Sequence, residues 1–154
     1  AMAFFDKFKK KGSAAFAPSM VLPAVMEALT EAGFRPGRER DTQVKYDEGG
    51  ILCYFCYRED DPDFLMAQVD FERGAFGTDD ELLLLRACVK TNGRVKAGKA
   101  YIDEQGDLSF TVENFIPWGT PISLLTLYMR KTLASTVAFF HETLQGLAEE
   151  AKVE

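Results

Sequence analysis

Apolar positions change their spacing several times along the chain, and each change marks an element. In SMVLPAVMEALTEAGF, Leu22, Val25, Met26 and Leu29 fall on one stripe with Glu27 and Glu31 turned outward, which predicts a helix from about Ser19 to Ala32. Gly33 is a natural stop, whereas Pro23 leaves the start of the helix open. Thr42 to Tyr46 is a short strand, and Asp47 to Gly50 supplies a tight turn because paired glycines accept the positive φ a hairpin needs. The following ILCYFCYRE is apolar on both faces, with Ile51, Cys53, Phe55 and Tyr57 opposite Leu52, Tyr54 and Cys56. That pattern predicts a central strand whose second face is partly covered. The acidic DDPDF turns the chain, and FLMAQVDF alternates, setting Leu65, Ala67, Val69 and Phe71 on one side. Strands joined by short turns predict an antiparallel meander.

TDDELLLLRACVKTNG then has the spacing of a capping box between Thr78 and Glu81, acids in its first turn, and Asn92 with Gly93 at its exit. Ala97 to Asp103 and Asp107 to Phe115 predict a second hairpin, in which Leu108, Phe110 and Val112 face a core and Ser109, Thr111 and Glu113 face water. Thr120 and Pro121 predict a cap and first position for a last helix reaching about Glu150, interrupted or frayed near Gly146. Leu125, Met129, Leu133, Val137, Phe140 and Leu144 form its core stripe, widened by Leu124, Leu127, Tyr128 and Phe139. The pattern as a whole predicts an α+β fold in the order α-β-β-β-α-β-β-α, with an antiparallel five-stranded sheet and helices packed mainly on one face. The expected organisation is a basic N-terminal arm over residues 1–18, a single domain over 19–150 and a C-terminal tail over 151–154.

At 154 residues the chain is long enough to bury a core without disulfides or metals. Its net charge of -6 argues against an extended nucleic-acid surface, and Lys9, Lys10 and Lys11 read as a solvated run within the arm. Three cysteines leave one without a partner, which fits a reducing compartment such as the cytoplasm. Cys53 and Cys56 have CxxC spacing, but an offset of three within a strand sends the two thiols to opposite faces. The N-terminal residues lack a secretory pattern, and Arg130 with Lys131 interrupts the longest apolar run, so no membrane span is expected.

Candidate chemistry is sparse. Asp103, Glu104, Gln105, Gly106 and Asp107 set acids around a glycine, yet counting from Asp103 puts Leu108 where a calcium loop needs glycine and Asn114 where it needs glutamate. They read as a polar turn. His141 has no clustered partners for zinc or a triad, and GRVKAGKA lacks the hydroxyl that would complete a phosphate-binding loop, since Ala100 stands there. No catalytic residue, metal site or cofactor is expected. Lys90, Arg94, Lys96 and Lys99 lie within ten positions and are the candidates for an anion or acidic partner, or for low-salt nucleic-acid contact.

NGRVKAGKAYIDEQGDLSFTVENF, followed by a small-residue and proline linker and a long apolar helix, resembles the YbjN family, described as "putative bacterial sensory transduction regulator", and its type III secretion chaperone-like fold. Gly98, Ala100, Tyr101, Asp103, Gly106 and Asp107 are the positions that carry the alignment. The resemblance implies a small cytoplasmic bacterial protein, often dimeric, that acts through protein contacts and has no established active-site residues.

Two functions follow as expectations. One is a non-enzymatic protein-binding, chaperone-like or regulatory homodimer that uses Trp118, Leu124, Tyr128 and Phe139 toward a client or regulatory protein. The alternative is a small-ligand sensor or enzyme with a pocket between sheet and last helix, its polar handles being Tyr54, Tyr57 or Tyr101.

Overall fold

A computed structural model describes residues 16–117 and 119–154. The basic run Lys9 to Lys11 and Trp118 lie outside the described residues. After a 3-10 turn at Pro18–Met20, the chain forms α1 (Val21–Glu31), β1 (Gly37–Arg40), β2 (Gln43–Glu48), β3 (Ile51–Tyr57) and β4 (Phe64–Phe71). It continues with α2 (Glu81–Arg94), β5 (Gly98–Ile102), β6 (Leu108–Phe115) and α3 (Ile122–Val153). The strands make one antiparallel sheet in the order β1-β2-β3-β4-β6-β5.

The sheet therefore has six strands where the apolar pattern predicts five. The additional strand, β1, is GRER, a four-residue edge strand with no apolar alternation to announce it. Its charges suit an edge, because they oppose pairing with another chain.

Helix ends follow local hydrogen bonding more closely than they follow the motifs. Gly33 has φ 94° and donates to Thr30 O at 3.0 Å, while Phe34 N donates to Leu29 O at 3.0 Å, so α1 closes in a Schellman motif. Pro23 sits in the first turn of α1, where its missing N–H has no helical partner to lose. Helix α2 is capped by Asp80, not Thr78: Asp80 Oδ1 accepts from Leu82 N and Leu83 N, while Thr78 Oγ1 accepts from Asp80 N one step earlier. Asn92 and Gly93 lie inside α2, which ends at Arg94. Pro121 rather than Thr120 is the N-cap of α3, and α3 runs through Gly146 to Val153 without interruption.

One face of the sheet makes the core. Val44, Tyr46, Cys53, Phe55, Leu65, Ala67, Val69, Leu108, Phe110 and Val112 all lie buried there beneath the three helices. From α3 come Leu125, Met129, Leu133, Phe140 and Leu144, spaced to return to the same side of the helix. Phe76, in the loop before α2, packs against Phe71, Phe110 and Phe140 with ring centroids 4.9 to 6.2 Å apart and against the His141 ring at 5.3 Å. His141 is thereby an aromatic neighbour at the edge of the core.

Candidate functional site

The acidic turn is a turn. Asp103 Oδ1 accepts from Gln105 N at 2.9 Å and from Asp107 N at 3.0 Å, and Gly106 takes φ 86°. Asp107 Oδ1 accepts from Arg73 N at 3.0 Å, tying the hairpin to the end of β4. Both carboxylates are thus engaged with backbone N–H groups, and among the described residues no group of three or more acids, histidines or cysteines could hold a metal ion.

The CxxC cysteines point to opposite faces as the strand period requires. Cys53 is buried in the core, Cys56 is half-buried on the other face, and neither these nor Cys88 is in a disulfide. Burial pushes the Cys53 and Cys88 thiols up to about 11, which leaves them protonated and unreactive near neutral pH.

What distinguishes the molecule is the sheet face opposite the helices. Cross-strand pairing sets Lys45 beside Tyr54, Tyr54 beside Gln68, Gln68 beside Thr111 and Thr111 beside Lys99 in one row. A neighbouring row runs Gln43, Cys56, Met66 and Glu113, and Phe64 pairs with Phe115 at the end of the sheet. The two rings meet edge to face at 6.0 Å. Among the described residues no helix covers this face, so the apolar second face of β3 is open where its composition predicts partial cover. Phe115 is 77% exposed and Leu52 48%. Ser109 and Thr111 are nonetheless buried on it, because long neighbours on adjacent strands close over these short side chains. The expectation of a uniformly wet face is corrected there: Thr111 Oγ1 has no hydrogen-bond partner, and Ser109 Oγ accepts from Gln68.

A second apolar surface lies on α2. Leu82, Leu85 and Val89 follow helical spacing on its outer side, and Leu82 and Val89 are 66% and 71% exposed. Of the predicted contact residues on α3, Leu124 and Tyr128 are exposed in its first two turns. Phe139 is half-buried and lines a cleft against Val89 and Gly93 of α2.

The predicted cationic cluster does not assemble. Lys90 and Arg94 line the cleft between α2 and α3 opposite Glu142 and Glu150, whereas Lys99 is on the open sheet face, paired with Glu113. Lys96 is exposed in the connection between α2 and β5. Positions close in sequence are separated by the sheet, so the four give no continuous basic surface. The predicted tyrosine handles are likewise dispersed: Tyr54 and Tyr101 lie on the open face, and Tyr57 donates to Pro62 O at 2.9 Å, at the opposite end of β3 from Ile51 and Cys53, which line a groove against α3. The tyrosine that faces α3 over the sheet is Tyr46.

The family model of YbjN, described as "Putative bacterial sensory transduction regulator", matches residues 22–118. The chain belongs to this family. Its description is that of a regulator and not of an enzyme, in keeping with a site built from apolar surface. YbjN of E. coli, a "putative transcription regulator", is similar in structure with a TM-score of 0.58 at 13% identity, covering 84% of this chain and 93% of its own. An uncharacterized protein from Methanothermobacter thermautotrophicus has a TM-score of 0.59 at 11% identity, covering 82% of this chain and 97% of its own. The Yersinia pestis type III secretion chaperone SycH, solved in complex with a fragment of YscM2, has a TM-score of 0.50 at 11% identity, covering 77% of this chain and 98% of its own. At these identities the likenesses establish a shared chaperone-like fold. No curated protein matches the sequence significantly.

Proposed function

We propose that this YbjN-family domain is a non-enzymatic, protein-binding module of regulatory or chaperone-like type that works as a homodimer in the cytoplasm. The observation that carries the reading is the sheet face left open by all three helices, where Leu52, Tyr54, Cys56, Met66 and Phe115 share one surface. SycH, of similar fold, was solved with a protein fragment bound, and a protein segment is the occupant proposed here for the open face. The outer stripe Leu82, Leu85 and Val89 of α2 is the surface proposed for the second copy, with Leu124 and Tyr128 of α3 as further contacts. The three thiols, none of them in a disulfide, support a reducing compartment. Among the described residues no helix is long and apolar enough to cross a membrane.

The test is affinity capture from a lysate of the native host, with mass spectrometry, comparing the wild type with Tyr54→Lys/Met66→Lys and with Leu85→Glu/Val89→Glu. A near-stoichiometric partner lost only in the sheet-face variant supports the reading. Sedimentation should show a dimer that Leu85→Glu/Val89→Glu converts to monomer. A wild-type monomer would overturn the homodimer, and a partner retained by the sheet-face variant would overturn the docking face.

A further inference from the structure

Beyond protein binding, the helical side of the sheet carries an apolar groove that the core does not fill. It lies between α3 and strands β2, β3 and β4, with a volume of about 250 Å3. Cys53 and Val69 form its floor, Leu133 and Val137 one wall, and Ile51 the outer lip. Its rim holds a single ion pair, Glu48 on β2 and Arg130 on α3.

The pair is unusually well held. Arg130 Nε and Nη2 donate to the two oxygens of Glu48 at 2.8 and 2.7 Å, and the guanidinium carbon lies 4.7 Å from the centroid of the Phe34 ring. Both side chains are only about a quarter exposed, at 22% and 26%. A guanidinium has five N–H donors in a rigid fork, and Glu48 occupies one edge. Arg130 Nη1 has no hydrogen-bond partner among the described residues. An oriented cation with unused donors therefore stands at the mouth of an apolar groove.

We propose that this groove binds a single-chain carboxylate amphiphile of the medium-chain fatty-acid class, its tail along Val69 and Leu133 and its head on Arg130. Size excludes two-chain lipids, since the groove lies below the range of about 300 to 1,000 Å3 typical of drug-sized sites. Charge selects the head: the Glu48 carboxylate repels any anion brought to Arg130, and a phosphate dianion more strongly than a carboxylate monoanion. Glu48 thus competes with the ligand for Arg130. It sets the affinity by holding the fork when the groove is empty.

The probes are decanoate and decanol, titrated calorimetrically below their aggregation limits into the purified chain, so the outcome is independent of any protein partner. Decanoate should bind with one molecule per chain. Arg130→Gln should weaken decanoate by roughly tenfold or more while changing decanol little, because only the carboxylate loses a charge-assisted bond. Glu48→Gln should tighten decanoate and leave decanol unchanged. Val137→Trp, which fills the groove from its wall, should remove both. Circular dichroism and thermal melts establish that each variant is folded. No decanoate binding to the wild type, equal effects of Arg130→Gln on the two probes, or full binding to folded Val137→Trp would each overturn the proposal.

Discussion

The side chain of Asn92 and the backbone of Ala100 form a two-way bridge: Nδ2 donates to Ala100 O at 2.9 Å, and Oδ1 accepts from Ala100 N at 2.7 Å. Ala100 lies in β5, at the edge of the sheet, and pairs with Phe110 on its inner side only. A carboxamide carried by α2 therefore does the work of a further strand and closes the ladder at this point. Asn92→Ala should cost about 1 to 3 kcal/mol, because a backbone donor and acceptor lose their partners together. Asn92→Leu, which keeps the volume, should cost a similar amount. Urea unfolding measures the loss, and gel filtration should show increased self-association through the uncapped edge. Unchanged stability in both variants would remove this role.

Gly98 lets β5 approach α3. A Cβ at this position would overlap the hydroxyl of Thr136, a buried residue whose Oγ1 also donates to Thr132 O at 2.7 Å within the helix. Gly98→Ala should destabilise by about 1 to 3 kcal/mol. Thr136→Ala should recover most of that loss in the double variant, since it removes the atoms in collision. A double-mutant cycle by chemical denaturation measures the coupling, and additive losses would show that the clash is not the cause.

Ala97, immediately before, holds φ 61° without being glycine. A left-handed backbone costs a residue with a Cβ about 1 to 2 kcal/mol. Ala97→Gly should therefore stabilise the fold by about 1 kcal/mol, part of the relief being offset by the greater freedom of glycine in the unfolded chain. A lower thermal midpoint would contradict this account.

Burial raises the thiols of Cys53 and Cys88 from 9.0 to about 11, and Tyr57 from 10.0 to about 12. Above pH 9.0 the unfolded chain ionises its thiols first, so the folded protein holds more protons and stability falls as pH rises toward about 11. Below that window the contribution is fully present. Thermal midpoints measured across it should fall, and the fall should be shallower in Cys88→Ala, which removes one of the groups. An equal slope in wild type and variant would show that Cys88 does not take part.

Legibility differs between parts of the chain. The period-two strands and the stripe of α3 were readable because burial on one face selects apolar residues at every second or every third and fourth position. The acidic turn was readable as well, since Gly106 and two aspartates meet its backbone needs locally. Strand β1 was hidden because an exposed, four-residue charged edge carries no such selection. In the sequence Asn92 reads as a helix exit, because its partner, Ala100, is eight positions away across a turn. In the sequence the cationic run reads as one patch, because sequence distance does not reveal which side of a sheet each side chain takes.

The residues alone determined the α+β composition, the order of the main elements, the absence of a recognisable catalytic motif and the family resemblance, all of which rest on short-range periodicity and turn chemistry. The pattern also gave helices on one face of the sheet, but only the tertiary structure decided that the surface from Leu52 to Phe115 stays open and that Glu48 and Arg130 meet above an apolar groove. Those outcomes depend on which faces pack together over 82 positions of chain separation, a free-energy balance among distant elements that no local pattern encodes.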